Sequence, residues 1–117
     1  MNPASKLIKQ FRCSRSFSQK EASLLLGYEQ SFLCAVEAGA KDVPKKQFVE
    51  KMIRKYHLTQ EEQGLLSDAL KRSNRKLVIP SKSPETLYEL VYRLNSQVKT
   101  LNDKQIKLID FALELEG

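Results

Sequence analysis

The chain has 117 residues, 41% of them hydrophobic and 29% charged, with 20 Lys+Arg against 14 Asp+Glu and a net charge of +6. Such a composition belongs to one folded domain with an appended element, and it excludes a disordered chain or two ordinary domains in series. No apolar run approaches the roughly 18 residues of a membrane span, and the opening MNPASKLIKQF lacks the long apolar stretch of a secretory signal, so we expect no membrane and a cytoplasmic location.

In chain order, Asn2-Pro3 predicts a first helix, with Asn as cap and Pro at the first helical position. Leu7, Ile8 and Phe11 form its buried stripe, while Lys6, Lys9, Arg12 and Arg15 are assigned to the remaining faces. Phe17 is expected to plug the core. The stretch 18–39, SQKEASLLLGYEQSFLCAVEAG, organises the rest. Ser18 and Glu21 form a capping box, and Ala22, Leu25 and Leu26 fall on one side at helical spacing. Gly27 ends that helix where positive φ comes most easily. Phe32, Leu33 and Val36 supply the inner side of the next helix, which ends near Gly39. Helix, Gly-containing turn, helix at this length is a helix-turn-helix pattern.

Residues 40–43 read as a loop, after which Pro44 is expected to open a fourth helix with Phe48, Val49, Met52, Ile53 and Tyr56 inside. Thr59 to Glu62 is another capping box. It starts a fifth helix with Leu65, Leu66, Ala69 and Leu70 inward, ending near Ser73-Asn74. Lys76 to Ile79 is a β-prone run stopped by Pro80, and 81–83 reads as linker. Ser83-Pro84-Glu85 starts a sixth helix with Leu87, Leu90, Val91, Leu94, Val98 and Leu101 on one side, running to about Lys99. Asn102 or Asp103 starts the last, with Ile106, Ile109, Ala112 and Leu113 inward. The expected fold class is therefore all-α: a five-helix domain over 1–75, then a C-terminal extension over 76–117 of one short strand and two helices. That extension is too small to hold a core alone. It must pack on the first five helices or on a second subunit, and dimerisation is the favoured reading, with residues 77–79 pairing across a twofold axis.

Charge is segregated. Residues 1–57 carry 11 Lys+Arg against 5 Asp+Glu, a net of +6, whereas 58–117 carry 9 of each. Solubility alone explains a positive total but not its confinement to the half that holds the helix-turn-helix pattern. A basic half favours a polyanion, nucleic acid being the commonest. Cys13 and Cys34 have neither disulfide nor zinc spacing, and Cys34 is expected to be a small, packed, inert side chain. His57 is the single histidine, the carboxylates are scattered, and there is no Gly-rich phosphate loop. No enzyme activity, metal or cofactor is therefore expected.

Gln19, the small residue Ser23, Gly27, Leu33, Val36, the run 31–39 and the following Val43-Pro44, flanked by Arg12, Arg15 and Phe17, resemble the Xre-like (lambda repressor/Cro-like) helix-turn-helix family. The resemblance covers about residues 5–72. It departs at Glu29, which stands where such proteins tend to have a capping Ser or Thr. What it implies is a five-helix lambda-repressor-like domain acting as a sequence-specific transcriptional regulator of double-stranded DNA, a repressor that binds an inverted repeat as a homodimer. A recognition helix from about Gln30 to Ala38 would enter the major groove. Gln30 can donate to and accept from adenine, Ser31 can serve either kind of edge, and Ala35 can meet a thymine methyl. Tyr28 is assigned to a phosphate or base at the turn, and Gln19 to a phosphate. Lys41, with Lys20, Lys45 and Lys46, would neutralise backbone charge. The competing reading is an antitoxin-type module whose C-terminal helices cap a toxin partner while the motif regulates their shared promoter.

Overall fold

Reciprocal capping boxes open several of the helices. In α1 (Pro3–Ser14) the Asn2 Oδ1 accepts from the Ser5 N–H at 2.8 Å while Ser5 Oγ accepts from the Asn2 N–H at 2.9 Å. The same reciprocal box opens α2 (Gln19–Leu26) through Ser18 and Glu21, and α5 (Gln60–Arg72) through Thr59 and Glu62. Between them lie α3 (Gln30–Glu37) and α4 (Gln47–Lys55), neither of which has a side-chain cap. Two further helices, α6 (Glu85–Gln97) and α7 (Asp103–Ala112), complete an all-α chain. The computed structural model describes residues 1–44 and 46–116.

The chain divides into two units, Met1–Lys76 and Leu77–Gly117. In the first, all five helices send apolar side chains to one core, including Ile8, Leu26, Leu33, Val36, Phe48, Met52 and Leu66. Helix α1 packs chiefly on α5, and α2 touches both α3 and α4. Ser73 Oγ accepts the Ala4 N–H at 2.9 Å, tying the end of α5 to the start of α1. Gly27 terminates α2 at φ +76°, a left-handed conformation that costs a residue with a Cβ about 1–2 kcal/mol. At that turn the backbone reverses and delivers the chain to α3.

Several expectations are corrected in this unit. Helix α4 starts at Gln47 rather than at Pro44. Leu65 points outward and is 52% exposed, leaving Leu66, Ala69 and Leu70 to face the core. Arg12 is buried, because it follows Ala4, Ile8 and Phe11 on one stripe of α1. Cys34 is exposed, not packed.

The second unit contains α6 and α7. No strand is found among the described residues, and the run 76–79 has no ladder partner. A strand requires a neighbour to take up its N–H and C=O groups, and propensity alone does not supply one; Leu77 and Val78 stay exposed. The linker folds back on α6, where Tyr88 Oη donates to the carbonyls of Pro80 and Ser81, both at 3.3 Å. Helix α6 ends at Gln97, short of Lys99. Of its apolar stripe, Val91 is buried and Leu87 and Leu94 are half-buried. Helix α7 departs furthest from expectation. Ile106, Ile109 and Leu113 are 50%, 38% and 81% exposed, and Ala112 is exposed too. Among the described residues no helix is long and apolar enough to cross a membrane.

Candidate nucleic-acid interface

Helix α3 is held from below by a buried ion pair. Arg12 Nε and Nη2 donate to the two carboxylate oxygens of Glu37 at 2.7 and 2.9 Å, and Nη1 donates to the Phe17 carbonyl at 2.7 Å. The side chains are only 10% and 2% exposed. The hydrogen bonding that Arg12 donates to Glu37 is the main reason its guanidinium is held even more firmly protonated than usual, against the opposing effect of burial. The Arg12–Glu37 pair thus links α1, the loop before α2 and the last turn of α3. Gln19 joins it, donating Nε2 to Glu37 Oε1 at 3.2 Å. The residue assigned to a phosphate is therefore half-buried and anchored inward through one of its two amide hydrogens.

A second arginine ties the end of α1 to the end of α4 and the start of α5. Arg15 Nε donates to the Tyr56 carbonyl at 2.6 Å, and Nη2 to Glu62 Oε1 at 2.8 Å. Its hydrogen bond keeps the Glu62 carboxyl below the usual carboxylate range. The Tyr56 ring packs beside Phe17, with centroids 5.7 Å apart, and burial pushes its phenol up to about 12.

With Leu33, Val36 and Glu37 turned inward, α3 presents Gln30, Ser31 and Cys34 to the outside, Ala35 is half-buried at the margin, and Ala38 is exposed just past the helix end. Cys34 lies one turn beyond Gln30 and Ser31, so it is part of the outward face; the sequence reading left it out. Glu29 is exposed and makes no cap, as its length suggests. At the start of α3, Tyr28 stacks on Phe32 with centroids 5.2 Å apart and planes 21° apart, and both rings meet Phe48. Two ammonium groups flank this aromatic cluster: Lys41 Nζ lies 5.5 Å from the Phe32 centroid and Lys51 Nζ lies 5.0 Å from that of Tyr28. Lys51 is a second residue the sequence reading passed over.

The predicted residues are thus distributed along α3. Tyr28, Ser31 and Lys41 share a depression of about 510 Å³ with Gly27, Glu29 and Phe32, and Gln30 is exposed next to Ser31 in the chain. Gln19 lies against Glu37 at the other end of the helix. Lys20 is exposed in the first turn of α2, and Lys46 is exposed just before α4; neither is drawn into the depression. Lys45 lies outside the described residues. This arrangement offers hydrogen-bonding side chains on a rigid helix, an uncapped helix start and neighbouring cations, which together suit a polyanion with readable edges. No family model matches the chain, and neither a curated protein nor a solved structure matches it.

Proposed function

We propose that residues 1–75 form a helix-turn-helix domain of the lambda-repressor-like kind, and that the protein is a sequence-specific regulator of double-stranded DNA, a repressor acting as a homodimer on an inverted repeat. The observation that carries this reading is the division of labour on α3. Its inner side is fixed by Leu33, Val36 and the buried Glu37, while its outer side shows Gln30, Ser31 and Cys34 to solvent. A helix so held can lie in a major groove with its first residues at the base edges. Phosphate contacts from Lys41, Lys20 and Lys46, with Tyr28 at the turn and the second amide hydrogen of Gln19, would give affinity and its salt dependence. Ala35 would meet an apolar feature at the margin. Repression follows from occupancy: two copies place α3 in successive major grooves about 34 Å apart and obstruct polymerase.

The two exposed cysteines make a direct test. Duplex DNA is first selected from a random pool on the full chain, and the expected product is an inverted repeat. Alkylation of the protein with a maleimide is then followed with and without that DNA. DNA is expected to slow the reaction at Cys34 while Cys13 in α1 continues to react. A pool with no enriched sequence, or a Cys34 as reactive in the presence of DNA as in its absence, would overturn the reading.

The exposed apolar side chains of α6 and α7 favour a second reading, the antitoxin-type module that caps another protein. The size of the purified protein separates the two: a stable homodimer supports the repressor, and a monomer that captures a toxin supports the module.

A further inference from the structure

Among the described residues, twelve large apolar side chains between Leu77 and Leu115 are 38–82% exposed. Half-exposed side chains of this size leave on the order of 100 Å² each to solvent, so the unit displays roughly 1,000 Å² of apolar surface. Each partner in a stable complex contributes about 800 Å², and Leu90, Leu108 and Ile109 of these side chains come together in one groove. Helix α7, ten residues long, is below the roughly 12–15 at which an isolated helix becomes even marginal in water.

What would cover this surface is indicated by charge. Residues 77–117 carry 5 Lys+Arg against 6 Asp+Glu, a net of −1, while residues 1–76 carry 15 against 8. A nearly neutral surface with mixed signs does not repel its own copy and offers nothing to select a strongly charged partner. The order of the charges is more specific. Along α6, Glu85 and Glu89 precede Leu90, and Arg93 follows it with Lys99 just past the helix end. Leu90, Arg93, Leu94 and Gln97 line one wall of a groove of about 320 Å³ whose other wall includes Leu108 and Ile109 of α7. Glu89 and Arg93 are both exposed, and neither makes an ion pair among the described residues. Acid before Leu90 and base after it is what a twofold interface needs, since the copy runs the opposite way.

We infer that a second copy of this chain covers the groove, with α6 lying antiparallel to α6 of its partner about an axis between Leu90 and Arg93. Glu89 then sits beside the partner's Arg93, twice by symmetry, and Leu90 and Leu94 meet their counterparts at the centre. The inference rests on the homodimer proposed above and assigns the face that makes it.

Charge reversal in the full chain tests the pairing. Glu89→Arg places like charges on both sides of the axis, and so does Arg93→Glu. Each variant alone is expected to raise the dimer Kd at least about tenfold, read by sedimentation equilibrium, with helicity unchanged by circular dichroism. An equimolar mixture of the two variants is expected to recover a dimer, because every cross-axis pair is then opposite in sign. Mixing cannot restore a contact within one helix, so recovery belongs to the interface alone. A monomeric wild-type chain, single variants that remain dimeric, or a mixture that stays monomeric would each overturn the assignment. DNA selection and Cys34 protection score the regulator reading separately, so the two can fail independently.

Discussion

Removing the Glu37 carboxylate is the sharpest perturbation of the fold. Glu37→Ala would leave Arg12 Nε and Nη2, together with Gln19 Nε2, without the acceptor they now share at 2.7–3.2 Å. The orphaned guanidinium would remain 10% exposed in an apolar setting, and breaking a buried pair in this way costs about 3–5 kcal/mol. A unit the size of residues 1–76 has about 4–11 kcal/mol in total, so the loss would take about a quarter of its stability or more. The melting temperature should fall by roughly 12 °C or beyond. The double change Arg12→Met/Glu37→Leu removes both charges and should be far milder, since an apolar replacement of a buried pair is often neutral. The Phe17 carbonyl, now bonded to Arg12 Nη1 at 2.7 Å, would still lose its donor, a residual cost of about 1 kcal/mol. Urea unfolding followed by circular dichroism measures all of these. A loss below about 1 kcal/mol for Glu37→Ala, or a double variant no better than that single one, would show that the pair does not hold α3 as described.

Gln30→Ala should relax preference at one base position by about 1–3 kcal/mol, while Lys41→Ala should weaken binding to every sequence alike; if titrations of both on selected DNA match wild type, the face is misassigned. Glu29→Ser supplies α3 with the cap it lacks and should add about 0.5–1 kcal/mol of stability. It should also tighten binding to all DNA by removing a negative charge, so a lower melting temperature or weaker binding would count against it. Tyr56 has a buried Oη with no hydrogen-bond partner among the described residues, and Tyr56→Phe should stabilise by about 1 kcal/mol. Because burial raises that phenol from 10.0 to about 12 in the folded state, its contribution is complete below pH 10 and is lost as pH rises through about 12. The Phe variant should lose less stability over that interval in thermal melts.

Local signals carried most of the first unit. The capping boxes at Ser18 and Thr59, the Asn2 cap, the Gly27 turn and the inward stripes of α1 to α4 are readable because each depends on residues within one helical turn of one another. The polar core was legible but unread: Glu37 stands four residues after Leu33, and Arg12 four after Ile8, so spacing alone puts both among buried neighbours. Their charge suggested surface, whereas a bidentate pair is satisfied inside. Lys51 could have been found as well, one position before the buried Met52 on α4, but its place over Tyr28 depends on how α4 meets the turn after α2. The second unit was harder because amphipathic spacing gives a buried side only when something lies against it. Apolar periodicity in α7 is real, yet Ile106, Ile109 and Leu113 face solvent in the single chain. Likewise the 76–79 run has the propensity of a strand and no neighbour to pair with.

The outward positions of α3 have no part in keeping the protein folded. Leu33, Val36 and Glu37 do that work, while Gln30, Ser31 and Cys34 are exposed and their side chains make no hydrogen bond or ion pair among the described residues. Whatever that surface touches, its chemistry can be rewritten one side chain at a time, with neither a compensating change in the interior nor a threat to the scaffold. The Arg12–Glu37 pair that fixes the helix sits at its far end and is untouched by any such replacement.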